Sequence, residues 1–586
     1  MEKVLLSGNE AIARGAYEYG VTVAAAYPGT PSTEILENIA KYKDDIYCEW
    51  STNEKVAMEV AIGAAFGGAR VLVAMKHVGL NVAADPFMTL SYTGVNGGLV
   101  IVVADDPSMH SSQNEQDSRQ YARFGKVPIL EPSDSQEAKD FMGKALEISE
   151  KFDTPVLLRS TMRISHSKTV VELGARGEFP QPEKFERKPD KFVMIPAHAR
   201  KRHVDVEERI KKLKEFAEKT ELNKIEFNDS KIGIITAGIS YQYVKEVLPQ
   251  ASIFKLGLSY PLPENRIKGF AKKVETLYVV EELDPFLEEQ IRAMGIEVIG
   301  KDRLPLLYEL NQGILREKLL GQTYPEPVDM ENIQLPARPP ALCPGCPHRG
   351  VFYILKKLGL VVTGDIGCYT LGVVAPLSAM DTTVCMGASV GMAFGLELAL
   401  KDKIKGKVVG VIGDSTFIHS GITGLIDIVY NKGVSTIIIL DNRTTGMTGH
   451  QDNPGTGRTL MGEETHQLDL AKLCKSIGIK HENVRVINPY DLQETMQAIQ
   501  EEVIKLEPSV IITNQPCVLI EKGKAWDKYQ VDEEKCRNCG MCFKVGCPAI
   551  YRDGDKAKIN EIFCVGCSVC EQVCKFDAIK KAGDES

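Results

Sequence analysis

The sequence predicts a multidomain α/β chain with two larger parallel-sheet domains, a middle α/β domain between them and a small α+β module at the C-terminal end. Three observations carry this. The chain has 586 residues, well beyond what one hydrophobic core serves, so about three to five domains are expected. Short apolar runs alternate with stretches of helical period in three separate regions, the pattern of parallel sheets. Eight of the fifteen cysteines fall between positions 536 and 574, which sets that segment apart.

In the region 1–170, apolar runs at 21–27, 70–75, 99–104 and 155–158 flank helix-period stretches such as 54–66. The region 171–230 is charged and contains prolines, and reads as a linker or excursion with an amphipathic helix expected near 206–220. A second α/β unit at 231–325 opens on a strand at 231–236 and includes another at 277–280, before the proline-rich stretch 322–347 marks a boundary. A third unit, 340–522, has strands expected at 407–412, 436–440 and 509–513 with helical patterns between them, again a βαβ arrangement. The first and third units could be two copies of one architecture. The module 527–586 completes the chain.

Composition narrows the function classes. Hydrophobic residues make up 44% and charged residues 25%, and the net charge of -9 is mild, with Lys and Arg not gathered into a stripe. Nucleic-acid binding therefore has little support. No apolar run approaches the roughly 20 residues needed to span a bilayer, and Met1-Glu2-Lys3-Val4-Leu5 lacks the layout of a signal peptide. A cytoplasmic protein with no membrane partner is expected. Cysteines in that setting point to metal ligation rather than disulfides.

Cys536-x2-Cys539-x2-Cys542-x4-Cys547-Pro548 is followed by Cys564-x2-Cys567-x2-Cys570-x3-Cys574. Thiolates suit iron-sulfur clusters, and in two-cluster ferredoxins the last cysteine of each run crosses to the other cluster. The expected assignment is Cys536, Cys539, Cys542 and Cys574 on one 4Fe-4S cluster, with Cys564, Cys567, Cys570 and Cys547 on the other. A pair of four-thiolate zinc sites is the alternative. Two departures stand out: x4 where x3 is usual, and Lys575 where proline usually follows.

Gly413-Asp414-Ser415 and Asp441-Asn442 each follow an expected strand. Oxygen ligands at neighbouring strand ends can clamp a Mg2+ ion that holds a diphosphate; the same dipeptides are also ordinary turn formers. Their separation resembles the Gly-Asp-Gly…Asn signature of thiamine diphosphate enzymes, with Ser415 in place of the second glycine. That resemblance implies Asp414, Asn442 and the main-chain oxygen of Thr444 as Mg2+ ligands, with Gly413 and Ser415 beside the cofactor. Thiamine chemistry also needs a carboxylate against the aminopyrimidine ring to relay a proton. Glu54, before an alanine-rich helix, is the candidate. Ser51-x-x-Glu54 is equally a capping box that would only close a helix end.

Cys343-x2-Cys346, Gly367-Cys368 and Pro516-Cys517 could hold a third cluster, or Cys343, Cys346 and His348 could share a zinc ion. Cys48, Cys385 and Cys474 read as isolated buried cysteines.

Along nearly its whole length the sequence resembles the α subunits of the indolepyruvate ferredoxin oxidoreductases, members of the thiamine-dependent 2-oxoacid:ferredoxin oxidoreductase family. The resemblance rests on Tyr27-Pro28-Gly29-Thr30-Pro31-Ser32, the stretch 74–81, Cys343-Pro344-Gly345-Cys346-Pro347-His348-Arg349, Gly413-Asp414-Ser415 and the cysteine tail. It implies two thiamine-binding-type domains, a transketolase C-terminal-like middle domain and a ferredoxin-like tail. It also implies a third 4Fe-4S cluster on Cys343, Cys346, Cys368 and Cys517. Thr30 would contact the 2-oxoacid carboxylate, although it could instead cap the helix starting near Ser32. His77 is a candidate for the substrate side, or else a satisfied core histidine. The implied reaction converts an aryl 2-oxoacid and coenzyme A to the aryl-acetyl-CoA and CO2, reducing two ferredoxins. A smaller β subunit in an α2β2 assembly is the implied partner. The alternatives are the same chemistry on pyruvate, a branched-chain oxoacid or phenylglyoxylate, and a non-catalytic electron-transfer subunit.

Overall fold

In the computed structural model, which describes residues 2–179, 185–322, 339–521 and 527–583, strands form where the sequence carries uninterrupted apolar runs. The chain divides into two units, Met1–Asn332 and Ile333–Ser586.

The first unit is built on a seven-stranded sheet in the order Leu258–Tyr260, Ile129–Leu130, Val156–Thr161, Leu99–Asp105, Val71–Lys76, Val23–Ala26, Tyr47–Trp50. Every neighbouring pair is parallel except the first. Three central strands are buried along their entire length, as expected of a parallel sheet covered on both faces. Each ends on a polar residue, Lys76, Asp105 or Thr161, at the C-terminal edge where open α/β sheets bind ligands.

The charged 171–230 stretch contributes the helix Pro196–Ala217, which starts at a proline in its first turn. It is fastened down by arginines. Buried Arg209 donates to the main-chain oxygens of Asp153, at 2.8 Å, and Ser91, and Arg202 donates to that of Tyr92 at 2.7 Å. A second sheet orders Thr276–Val280, Asp229–Ala237, Ala251–Leu256 and Asn223–Glu226, the last strand antiparallel. The chain then crosses at Gly257 to supply the edge strand Leu258–Tyr260 of the first sheet. A Cβ on Gly257 would lie 2.5 Å from the Leu222 carbonyl oxygen, so only glycine fits that crossing.

The second unit holds a five-stranded, all-parallel sheet in the order Val361–Thr363, Val408–Gly413, Thr436–Asp441, Ser509–Asn514, Val484–Ile487. Its cysteine-rich tail has two antiparallel ribbons, Tyr529–Val531 with Ile579–Lys581 and Ile550–Asp553 with Lys556–Ile559. Val545, Val569 and Ile579 of the tail share one hydrophobic core with Val351, Leu355 and Ile511 of the sheet layer. Among the described residues, no helix is long and apolar enough to cross a membrane.

Candidate active site and cysteine centres

In the first unit, Glu54 is the first residue of the helix Glu54–Phe66, and the cap is Asn53, whose side chain accepts from the Val56 N–H at 2.9 Å. The Ser51 hydroxyl instead donates to Glu49 Oε1 at 2.7 Å. Ser51 and Glu54 therefore do not form a capping box. Asn53 in extended backbone already supplies the oxygen that the helix N-terminus needs. The Glu54 side chain, 5% exposed, packs on Gly79, where an added Cβ would sit 2.7 Å from both its Cγ and Oε1.

Thr30 is half-buried and is not a cap either, because the helix Thr33–Ile39 begins after Ser32. Its main-chain oxygen accepts from Ser111 Oγ at 3.4 Å. His77 is buried, with Nε2 3.3 Å from the Asn114 carbonyl oxygen and Nδ1 without a partner among the described residues. It is thus only half satisfied as a core histidine. Between them lies Lys76, which sequence reasoning missed: its Nζ donates to the Ser111 carbonyl oxygen at 2.7 Å. Burial pushes its ammonium down to about 8. Its place at the end of a fully apolar run was the available signal.

In the second unit, Asp414, Asn442 and Thr444 come together. The outer amide atom of Asn442 lies 3.1 Å from Asp414 Oδ1 and 2.8 Å from the Thr444 main-chain oxygen. With nitrogen in that place the amide donates to both; with oxygen there, three oxygens converge as the ligands of a hard cation do. Burial, and then the neighbouring Asp441, push the Asp414 carboxyl up to about 8. A divalent cation would offset that penalty. Gly413 is required because a Cβ would meet the Tyr369 ring at 2.7 Å. Ser415 is tolerated because its hydroxyl accepts from Thr445 Oγ1 at 2.9 Å.

Two further residues order this edge. Asp365, in a second Gly-Asp turn after a strand, accepts the N–H groups of Ile366, Gly387 and Ser389 at 2.8–2.9 Å. It thereby ties down the loop leading into the helix Ala388–Leu400. His348 lies 3.5 Å from Asn442 Nδ2, and burial pushes its imidazole down to about 4. Being neutral, it does not compete with a cation.

The Cys517 N–H donates to the Asn442 carbonyl oxygen at 2.9 Å, which places one cysteine directly beside the Asp414, Asn442 and Thr444 cluster. Cys343, Cys346, Cys368 and Cys517 form one mutually interacting group. Burial raises the Cys346 thiol to about 12, with Cys343 and Cys368 adding to the effect. Burial likewise raises Cys368 to about 11, with contributions from Cys517 and Cys343. In the tail, Cys542 interacts with Cys539, Cys536 and Cys574, and these four line a single cavity. Cys570 interacts with Cys567, Cys547 and Cys564. The tail cysteines therefore fall into two groups of four, Cys536, Cys539, Cys542 and Cys574 in one and Cys547, Cys564, Cys567 and Cys570 in the other. Among the described residues, no three His, Cys, Asp or Glu side chains converge as ligands of a single ion. Cys48 and Cys474 are buried, whereas Cys385 is exposed, contrary to the expectation that all three are buried.

Known proteins align with both units. The family described as thiamine pyrophosphate enzyme, C-terminal TPP binding domain, matches residues 365–513. The pyruvate flavodoxin/ferredoxin oxidoreductase thiamine-diphosphate-binding family matches residues 14–223. The indolepyruvate oxidoreductase subunit IorA of Pyrococcus abyssi is 44% identical, covering 99% of this chain and 97% of its own length. That of Archaeoglobus fulgidus is also 44% identical, covering 99% and 98%. The 2-oxoglutarate synthase subunit KorA of A. fulgidus is 26% identical over 54% of this chain and 100% of its own.

Proposed function

Because the chain belongs to the indolepyruvate oxidoreductase IorA family of thiamine-dependent 2-oxoacid oxidoreductases, we propose that it oxidatively decarboxylates aryl 2-oxoacids, indolepyruvate foremost. Coenzyme A takes the acyl group and ferredoxin takes the electrons. One aryl 2-oxoacid, one coenzyme A thiol and two oxidised ferredoxins yield the aryl-acetyl-CoA, CO2, two reduced ferredoxins and two protons. A smaller β subunit completes the enzyme.

The observation that carries this reading is the convergence of the Asp414 carboxylate, the Asn442 side-chain amide and the Thr444 main-chain oxygen, set one main-chain hydrogen bond from Cys517. The triad would hold Mg2+ and, through it, the diphosphate, next to Gly413 and Ser415. Bound thiamine diphosphate supplies a nucleophilic carbon for the keto group and a sink for the electron pair left when CO2 departs. Glu54, packed against Gly79, holds and returns the proton at the aminopyrimidine. Thr30 and His77 face the 2-oxoacid.

Three groups of four cysteines would hold 4Fe-4S clusters, which when bound supply one-electron carriers between the thiamine site and ferredoxin. The Cys343, Cys346, Cys368 and Cys517 cluster is first. Cys547, Cys564, Cys567 and Cys570 hold the second, because Tyr490, whose Oη donates to the Gly345 carbonyl oxygen at 2.6 Å, interacts with Cys567 and Cys346 alike. Cys536, Cys539, Cys542 and Cys574 hold the last, where Cys539 is exposed.

The test is an anaerobic substrate panel on the chain co-expressed with its smaller subunit, following ferredoxin reduction with and without coenzyme A. Indolepyruvate and phenylpyruvate should be turned over fastest. A preference for pyruvate or a branched-chain oxoacid would overturn the aryl reading while leaving the chemistry intact.

A further inference from the structure

Arg349 begins as an ordinary residue of the helix His348–Leu358, but its guanidinium is buried at 3% exposure. It finds no carboxylate among the described residues. Its bonds all go to main-chain carbonyls: Nη2 donates to Leu342 and, at 3.0 Å, to Cys343, while Nη1 donates to Gly546 and, at 3.2 Å, to Val545. Two of these carbonyls belong to the loop of Cys343 and Cys346, and two immediately precede Cys547. A buried cation is costly unless an anion offsets it. The anionic groups within its reach are the clusters those two loops would hold, since Nη2 binds the carbonyl of Cys343 itself and Nη1 binds the carbonyl one residue before Cys547.

We propose that Arg349 is a positioning residue for electron transfer: it staples the Cys343 loop to the Cys547 loop and acts as the shared buried counter-cation of the two clusters those loops hold. This rests on the cluster reading above. A cubane with four thiolate ligands is anionic and gains one more negative charge on accepting an electron. A fixed positive charge in a low-dielectric interior favours the reduced form, so both flanking clusters are easier to reduce than they would be without it. Arg349 itself exchanges neither electrons nor protons. Each electron that passes oxidises the donor cluster and reduces the acceptor cluster by one.

The Cys343 loop has a second tie to the tail. Besides the Tyr490 Oη bond to Gly345, the Tyr490 carbonyl oxygen accepts from Gln572 Nε2, beside Cys570, at 2.7 Å, so the Cys343 loop stays tied to the tail when the charge is removed. The test is an anaerobic redox titration, followed by electron paramagnetic resonance, of the full enzyme with its smaller subunit. Wild type is compared with Arg349→Gln and Arg349→Lys, and Cys517→Ser and Cys539→Ser variants assign the signals.

Arg349→Gln is expected to keep about twelve irons per chain, four per cubane. It should lower the midpoint potentials of the two flanking clusters and leave the outer cluster unmoved. Arg349→Lys should stay close to wild type. Unchanged potentials in a fully loaded Arg349→Gln enzyme would overturn the proposal. If Arg349→Gln loses iron, the lysine variant decides: full iron and wild-type potentials support the counter-cation, and iron loss there too leaves Arg349 a purely structural clamp. A wild-type enzyme without cubane signals would instead strike the cluster reading itself.

Discussion

Gly79 and Glu54 are in such close contact that a single methyl group on the glycine would fall 2.7 Å from the carboxylate oxygen. Glu54→Gln should therefore cost about 10²–10⁴ in kcat, the range for a lost general acid–base group. Gly79→Ala should cost about a hundredfold by displacing an intact carboxylate. Thiamine content of the purified variants should stay at the wild-type level, and ferredoxin reduction by indolepyruvate measures the loss.

Asp414→Asn neutralises the carboxylate of the proposed Mg2+ site, and Asn442→Ala removes its side-chain amide. Both should weaken Mg2+-dependent retention of thiamine diphosphate by about tenfold or more, since cation affinity follows the charge and number of oxygen ligands. Gel filtration with and without a chelator, followed by thiamine analysis, checks it. Full retention in Asp414→Asn would remove this carboxylate from the metal shell.

Cys517→Ser tests the third cluster without touching the tail. Iron should fall from about twelve to about eight per chain, the tail signals should persist, and ferredoxin reduction should stop. A variant that sheds zinc in place of iron would revive the alternative of a Cys343, Cys346 and His348 ion site.

Glu282 gives a pH test independent of any cofactor. It is buried and accepts the Leu310 N–H at 2.9 Å, and burial pushes its carboxyl up to about 7. Because the folded value lies above the unfolded one near 4.3, its contribution is fully present below about pH 4.3 and is lost as pH rises towards 7. The loss amounts to roughly 4 kcal/mol, since each pH interval of one between the two values is worth about 1.4 kcal/mol. Glu282→Gln should remove this slope, so thermal melts of wild type and variant should diverge as pH rises from 5 to 8.

The central strands were legible because buried parallel strands need unbroken apolar runs, and the helix Glu54–Phe66 matches its expected bounds. The edge strand Tyr47–Trp50, with exposed Tyr47 and polar Glu49, has no such run. The crossing of Leu258–Tyr260 into the first sheet depends on contacts distant in sequence. Ser51 was a plausible cap by spacing alone, but Asn53 stands nearer the true helix start, and spacing cannot rank two capping residues. The candidate ligands Asp414 and Asn442 were readable as residues following strands. Asp365 follows a strand in the same way and was overlooked because it carries no cation motif. Nothing in the local sequence marks Arg349 as buried, since its partners are carbonyls contributed by loops about two hundred residues apart.

The core that joins Val545, Val569 and Ile579 to Val351, Leu355 and Ile511 makes the tail a stakeholder in the fold of the whole second unit. Loosening the tail would therefore expose that core, so the cysteine-rich segment bears on the stability of the parallel sheet as well as carrying its own cysteines.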